Sequence, residues 1–171
     1  MVANAGISSW GKFWEMDDAT WQAMIDINLT GVWRTFKAAA PRMIEQGEGG
    51  VLIAISSVAG IKSLPGQAHY SSAKHGLVGL VKTAAIELGG YGIRVNSIHP
   101  WGVATPMAQD PLVEKMLADN PGYLRSYGAA IDEPRMAEPW EISEAVIYLA
   151  SDGARLVTGI QLPVDKGATI V

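Results

Sequence analysis

Gly49-Gly50-Val51-Leu52-Ile53-Ala54-Ile55-Ser56-Ser57 decides how this chain is read. Five apolar residues follow one another without polar alternation, between a glycine turn and two serines. A short unbroken apolar run of this kind is the pattern of a strand buried on both faces of a parallel sheet. Working backwards, Asp17-Asp18 supplies the acidic start that suits a helix N-terminus. Trp21, Met24, Ile25, Leu29, Val32, Trp33 and Phe36 then recur at three- and four-residue spacing, which predicts one long amphipathic helix ending near Gln46-Gly47. Further back, Val2-Ala3-Asn4-Ala5-Gly6 reads as the tail of a strand entering a glycine turn. Working forwards, residues 67 to 88 carry a helical apolar face through Leu77, Leu80, Val81, Ala84, Ala85 and Leu88, and Gly89-Gly90 stops it. Arg94 to Ile98 is the next strand, closed by Pro100, which has no N–H to donate to a ladder. Trp140 to Ala150 is a further helix and Ile160 to Val164 a final strand. Strands alternating with helices make this an α/β chain with a parallel sheet, with four strands in all. Between Thr105 and Arg135 the prolines at 106, 111, 121 and 134 predict one or two short helices in a lid-like segment.

Composition narrows the function. The 171 residues suit one domain, and 49% hydrophobic against 18% charged residues is ordinary globular composition. A net charge of −4 with scattered lysines and arginines offers no basic stripe for nucleic acid. The absence of cysteine excludes disulfides and thiolate metal sites and fits the cytoplasm. No apolar run reaches the ~20 residues a membrane span needs, and no secretory leader is visible. Asn28-Leu29-Thr30 matches a glycosylation acceptor by chance. His69, His75 and His99 are far apart and lack carboxylate neighbours, so no metal is expected and their roles are structural or superficial. Trp10, Trp14, Trp21, Trp33 and Trp140 are read as core or interface residues.

Chemistry concentrates in the second helix. Tyr70 and Lys74 stand four residues apart and so share a face. An ammonium beside a phenol favours the phenolate, moving a tyrosine toward general acid/base work near neutral pH. Ser56 and Ser57 end the central strand, at the edge where open α/β sheets place their ligands. Side chains alternate along a strand, so at most one of the two faces that cleft; spacing does not choose between them. Asn28 is an awkward polar residue in mid-helix, suited to a kink or a buried water site.

Ile55-Ser56-Ser57-Val58-Ala59-Gly60 and Tyr70-Ser71-Ser72-Ala73-Lys74 together resemble the serine and YxxxK motifs of the short-chain dehydrogenase/reductase family, whose serine stands thirteen residues before its tyrosine. That spacing points to Ser57. Asn4-Ala5-Gly6 is similar to the family's NAG motif at the cofactor cleft, and Asn28 in Asn28-Leu29-Thr30-Gly31 to the asparagine that completes its catalytic tetrad. Arg94-Val95-Asn96-Ser97-Ile98-His99-Pro100 resembles RVNxxxP, and Val103 with Thr105-Pro106-Met107 resembles the segment that binds the nicotinamide carboxamide. Here the chain departs from the pattern, with Pro100-Trp101 where Pro-Gly is usual and Gly102 one place later. Thr158-Gly159 and Leu162 to Asp165 resemble the closing strand, so the likeness spans the chain. Asn28 to Thr35, His69-Tyr70, Lys74-His75-Gly76 and Leu162 to Asp165 further resemble carveol-dehydrogenase-like members, including those coupled to mycofactocin.

The resemblance implies a Rossmann-like doubly wound parallel sheet and an NAD(P)-dependent oxidoreductase interconverting a secondary alcohol and a ketone. Tyr70 would pass the proton, Lys74 would tune Tyr70 and bind the nicotinamide ribose, Ser57 would hold the substrate oxygen, and Asn28 would hold a water leading to solvent. Asn4, Ala5, Gly6, Tyr70, Lys74, Pro100, Val103 and Thr105 would meet the cofactor. The cofactor is expected to be NAD or NADP, with NAD favoured. Trp101, Met107, Tyr123, Leu124 and Tyr127 suggest a hydrophobic, terpenoid- or steroid-like substrate. The family's TGxxxGxG turn is not found in these residues; Gly47, Gly49 and Gly50 follow a helix and precede a strand, the reverse of what that turn requires. The chain is therefore expected to hold strands four to seven of an incomplete fold, its first βαβαβ part, roughly ninety residues, being absent. A raw sheet edge at Val2 is expected to make residues 1–171 alone self-associate. The full-length protein is expected as a homotetramer or homodimer built through the 67–88 helix and the last helix and strand. Two other readings are a catalytically incompetent fragment and a 3-oxoacyl-carrier-protein reductase-like enzyme, the latter needing a basic docking patch for which Arg94 and Lys82 are the candidates.

Overall fold

The apolar run forms β2 (Gly50–Ile55), which pairs in parallel with β1 (Val2–Ala3) on one side and β3 (Ile93–Pro100) on the other. β3 in turn pairs in parallel with β4 (Gln161–Val164), giving the order β1-β2-β3-β4. This computed structural model describes residues 1–133 and 136–171; Pro134, the last of the lid prolines, and Arg135 lie outside the described residues. Pleating explains why β2 is apolar throughout. Leu52 and Ala54 pack on one face with Phe36, Leu77 and Val81, while Ile53 packs on the other with Ile142 and Leu149. β1 is bonded on one side only, leaving Val2 40% exposed at the sheet edge.

The long helix is continuous but not uniform. α1 (Asp18–Ile25) passes through a π turn at Asp26–Thr30 into α2 (Gly31–Gln46). Asp17 caps it by accepting from Thr20 N at 2.7 Å, a contact that holds its carboxyl below the usual aspartate value. The π turn has a local cause: Asn28 Nδ2 donates to the Met24 carbonyl at 3.1 Å, competing for a backbone acceptor of the ladder. The buried stripe runs Met24, Asn28, Val32, Phe36, Ala39. Trp21 and Trp33 fall outside it and are exposed, as are Trp14 and Trp140, so none of these four is core. α2 stops at Gly47, whose positive φ of 70° lets its N–H reach the carbonyls of Met43 and Ile44.

α3 (Ala68–Gly89) lies one residue from its predicted bounds and packs beside α2 on the same face of the sheet. Beyond β3, Pro106, Pro111 and Pro121 each open a helical piece: a 3₁₀ turn at Pro106–Gln109, α4 (Pro111–Asp119), and a 3₁₀ stretch at Pro121–Tyr127. Proline suits these starts because its missing N–H would have no partner there. α5 (Pro139–Ala150) covers the opposite face of the sheet, beginning with a capping box between Glu138 and Glu141. Its C-terminal end receives Arg94, whose guanidinium donates to Leu149 O at 2.8 Å and Ser151 O at 3.3 Å. Turned onto these carbonyls, Arg94 gives no support to the docking patch suggested with Lys82. Asn96 clamps the chain before β4, donating to Val157 O and accepting from Ile160 N. Among the described residues no helix is long and apolar enough to cross a membrane, and no cluster of three or more candidate metal ligands is found.

Candidate active site

Parallel strands that all end at one edge bring their C-terminal residues together there, and the sequence-nominated residues arrive in this way. Asn4, Ala5 and Gly6 follow β1, Ser57 follows β2, and Pro100 ends β3. Every one of the nominated catalytic and cofactor positions, Val103 and Thr105 included, lines a single cleft of about 1290 Å³. That is the place where a doubly wound sheet binds ligands.

The structure separates the two serines. Ser56 is buried, and its hydroxyl turns back to the Lys74 carbonyl at 3.4 Å. Ser57 is extended, accepts from Ala59 N at 3.1 Å, and hydrogen-bonds the Tyr70 hydroxyl. The turn between them and the helix is tight: a β-carbon at Gly60 would lie 2.7 Å from the Lys74 carbonyl. Glycine there lets the Val58–Gly60 turn press directly onto α3, fixing Ser57 relative to Tyr70 and Lys74.

Lys74 is almost fully buried, donates to the Ile55 carbonyl at 3.0 Å, and has its Nζ 5.4 Å from the centre of the Tyr70 ring. Burial lowers its pKa from 10.5 to about 8. Tyr70 departs from the sequence-based expectation. Its hydroxyl is pushed above the ordinary tyrosine value because burial outweighs the hydrogen bond from Ser57 that favours the phenolate. Desolvation of an anion in a mostly apolar cleft is the larger effect, so Tyr70 is held as the neutral phenol, a proton donor.

Asn28 is fully buried and staples the turn after β1 to the helix. Its Nδ2 donates to Ile7 O at 3.0 Å and its Oδ1 accepts from Ile7 N at 3.2 Å. A β-carbon at Gly6 would lie 2.7 Å from Asn28 Oδ1 and 3.7 Å from Lys74 Nζ, so the Asn4-Ala5-Gly6 turn needs its glycine for this close approach. This cradle, with Thr105 across the cleft, fits the nicotinamide end of a dinucleotide. Nothing among the described residues supplies a pyrophosphate turn.

Sequence reasoning missed part of the facing wall. Residues 8–11 are zipped onto residues 66–69: Gln67 Nε2 donates to Ser8 Oγ at 3.0 Å, Ser9 Oγ lies 2.8 Å from His69 Nε2, and Gly11 N donates to Gly66 O at 3.0 Å. Trp10 thereby reaches the cleft, its ring 5.7 Å from that of Tyr127, which lies 6.2 Å from Trp101. The Tyr127 hydroxyl donates to the Pro65 carbonyl, latching the lid segment to the loop before α3. Of the expected lid residues, Trp101, Met107 and Tyr127 line the cleft, whereas Tyr123 and Leu124 do not, Leu124 being 55% exposed. Trp101 N continues the ladder to Val164 O at 3.3 Å, so the unusual Pro100-Trp101 step keeps the strand path and places an indole at the cleft. His99 is fully buried rather than superficial.

A parallel sheet covered by helices on both faces, with serine, tyrosine and lysine converging at its C-terminal edge, defines the class of Rossmann-like oxidoreductase folds. Comparison with known proteins is consistent with that class. The family model described as enoyl-(acyl carrier protein) reductase matches residues 1–169. An uncharacterised NAD-dependent oxidoreductase of Mycobacterium tuberculosis is 48% identical over 98% of this chain and 62% of its own length. The (−)-trans-carveol dehydrogenase of Rhodococcus erythropolis is 42% identical over 98% of this chain and 64% of its own. A crystal structure of a short-chain dehydrogenase from Mycobacterium paratuberculosis bound to NAD superposes with a TM-score of 0.96 at 41% identity, covering 99% of this chain and 64% of that one. The chain belongs to the short-chain dehydrogenase/reductase family. It spans somewhat under two thirds of the length of these relatives.

Proposed function

We propose that the protein is an NAD-dependent oxidoreductase that interconverts a hydrophobic secondary alcohol and the corresponding ketone. The convergence of Ser57, Tyr70 and Lys74 at one cleft edge carries this reading. When bound, the dinucleotide supplies or accepts the hydride. In ketone reduction the Tyr70 hydroxyl would pass its proton to the carbonyl oxygen; in alcohol oxidation Tyr70 would first give up its proton on the Lys74 side and then, as phenolate, accept the proton of the alcohol. Ser57 orients the substrate oxygen beside Tyr70. Lys74 holds positive charge near the Tyr70 ring and lies where it can meet the nicotinamide ribose, with Asn4, Ala5, Gly6, Pro100, Val103 and Thr105 forming the rest of that end of the cleft. Asn28 uses its amide to fix the Ile7 turn, so a water relaying protons from Lys74 would use the remaining lone pair of Oδ1.

The dinucleotides named for relatives favour NAD over NADP. The aromatic wall of Trp10, Trp101 and Tyr127 suits a cyclic hydrocarbon skeleton, in keeping with the carveol named for one relative. Subunit contacts in a homodimer or homotetramer would use the exposed apolar residues Ile86 of α3 and Trp140 and Tyr148 of α5. The test uses the protein expressed from its natural reading frame. Formation of the reduced dinucleotide is followed by its absorbance with a panel of open-chain and cyclic secondary alcohols, including (−)-trans-carveol, with NAD and then NADP. Turnover of cyclic alcohols with NAD is the expected result; no turnover of any alcohol, with dinucleotide bound, overturns the reading.

A further inference from the structure

The ladder between β2 and β3 ends at the Ile55–Ile98 pair, with Ser56 N donating to Ile98 O at 2.8 Å. Ser57 lies two residues beyond that last pair, so no backbone group of β3 holds its peptide. A side chain takes over. His99 is fully buried under the strand edge, with Nδ1 2.6 Å from the Ser57 carbonyl and Nε2 2.9 Å from Ser97 Oγ. A carbonyl oxygen only accepts, so Nδ1 must carry a proton. In the neutral ring Nε2 is then an acceptor that faces the Ser97 hydroxyl, whose oxygen also lies 3.4 Å from the Ile160 carbonyl. The cation is disfavoured: burial first, then the charges of Lys74 and His75, bring the ring to about 4, despite the support of the Ser57 carbonyl. His99 is thus a neutral donor with one defined tautomer, set by the Ser57 carbonyl.

The Ser57 carbonyl receives a second donor, Gly60 N at 2.9 Å, from the turn that presses on α3. Two donors from different elements define the orientation of the peptide that carries Ser57, whose φ of −167° and ψ of 162° are those of extended backbone. Removing one of them leaves that peptide hinged on the turn alone. Ser57 Oγ has little room for error, since it already accepts from Ala59 N and also meets the Tyr70 hydroxyl.

We propose that His99 is a positioning residue, whose Nδ1–H holds the Ser57 peptide so that Ser57 Oγ stays aligned with the Tyr70 hydroxyl. This rests on the reading of Ser57 and Tyr70 as catalytic groups. The test compares three variants in the protein from its natural reading frame, assayed with NAD and (−)-trans-carveol. His99→Asn keeps an N–H one bond from Cγ, where Nδ1 stands; His99→Gln moves the amide one carbon further; His99→Ala removes it. His99→Asn is expected to stay within about threefold of wild-type kcat, while His99→Gln and His99→Ala lose about 100-fold, the scale of an ångström-sized misplacement of a reacting group. KM for NAD is expected to be unchanged in all three. A purely structural role instead makes kcat follow melting temperature whatever the donor position, so equal losses in His99→Asn and His99→Gln overturn the proposal. Nitrogen-15 spectra of the wild-type imidazole provide a readout that needs no turnover: a proton on Nδ1 is expected, and one on Nε2 alone overturns it. If Tyr70→Phe turns over like wild type, the catalytic reading falls and takes this one with it. If Tyr70→Phe is inactive while the Asn and Gln variants match each other, only the positioning role falls.

Discussion

The two walls of the cleft are built from different materials. The wall carrying Asn28, Ser57, Tyr70 and Lys74, with His99 buried behind it, consists of polar side chains, most of them buried and each tied to backbone or to a neighbouring hydroxyl. The facing wall of Trp10, Trp101 and Tyr127 consists of aromatic rings in tilted contact, with one hydrogen bond from Tyr127 as its latch. Buried polar groups must be satisfied or they destabilise the fold, which leaves each with a single geometry. Apolar rings tolerate exchange, since hydrophobic contact is not directional. The polar wall is therefore suited to fixed chemistry, and the aromatic wall to choosing among substrates.

The largest effect is expected at Lys74. Lys74→Met should reduce kcat by about 10²- to 10⁴-fold, the range typical of acid/base machinery. The same variant should be more stable. The fall from 10.5 to about 8 means the buried ammonium costs about 3 kcal/mol, offset by about 1 kcal/mol for the hydrogen bond to Ile55 O. The folded value lies below the unfolded one, so this cost is fully present below pH 8 and is relieved as pH rises from about 8 to 10.5. Denaturation of wild type and variant at pH 7 and pH 10 should therefore show a gap that narrows; a constant gap would remove the electrostatic explanation.

His99 extends the contrast to acid. Its folded value of about 4 lies below the unfolded 6.5, so between these pH values the unfolded chain takes up a proton that the native state refuses. Wild type should lose up to about 3 kcal/mol of stability across that interval relative to His99→Asn. Urea midpoints at pH 7 and pH 4.5 measure this, and parallel curves would contradict it.

On the aromatic wall the effects should be smaller and of another kind. Trp101→Ala should raise KM for a cyclic alcohol by about tenfold and leave kcat nearly unchanged, the signature of lost uniform binding. Tyr127→Phe, which removes only the latch to Pro65 O, should cost about 1 kcal/mol of stability and shift KM by less than Trp101→Ala. A drop in kcat at either position as large as that at Lys74 would erase the distinction between the walls.

The same division governs what could be read before the fold was seen. β2 was legible because a strand covered on both faces has no polar positions, and α3 because its apolar stripe is regular. Asn28 was legible as an anomaly, and the π turn at Asp26–Thr30 is the form that anomaly takes. Strand alternation alone does not decide between Ser56 and Ser57; the thirteen-residue spacing of the family motif points to Ser57, and the hydrogen bonds of the two serines set them apart. The direction of the Tyr70 shift was misread because proximity to Lys74 shows in the sequence while desolvation does not. Trp10 reads from sequence as a core or interface residue, because its place at the cleft depends on contacts to residues more than fifty positions away, such as Gly11 with Gly66. His99 sits inside a recognisable strand motif, yet its bond to Ser57 spans 42 residues and leaves no local signal.

The most direct test is turnover by Tyr70→Phe, a change that deletes one oxygen from a ring whose shape is kept. With NAD and a cyclic secondary alcohol that wild type oxidises, the variant should retain its affinity for NADH and lose about 10³-fold in kcat. A variant that binds NADH and turns over within tenfold of wild type would show that the proton moves by another route, and the polar wall would then be architecture alone.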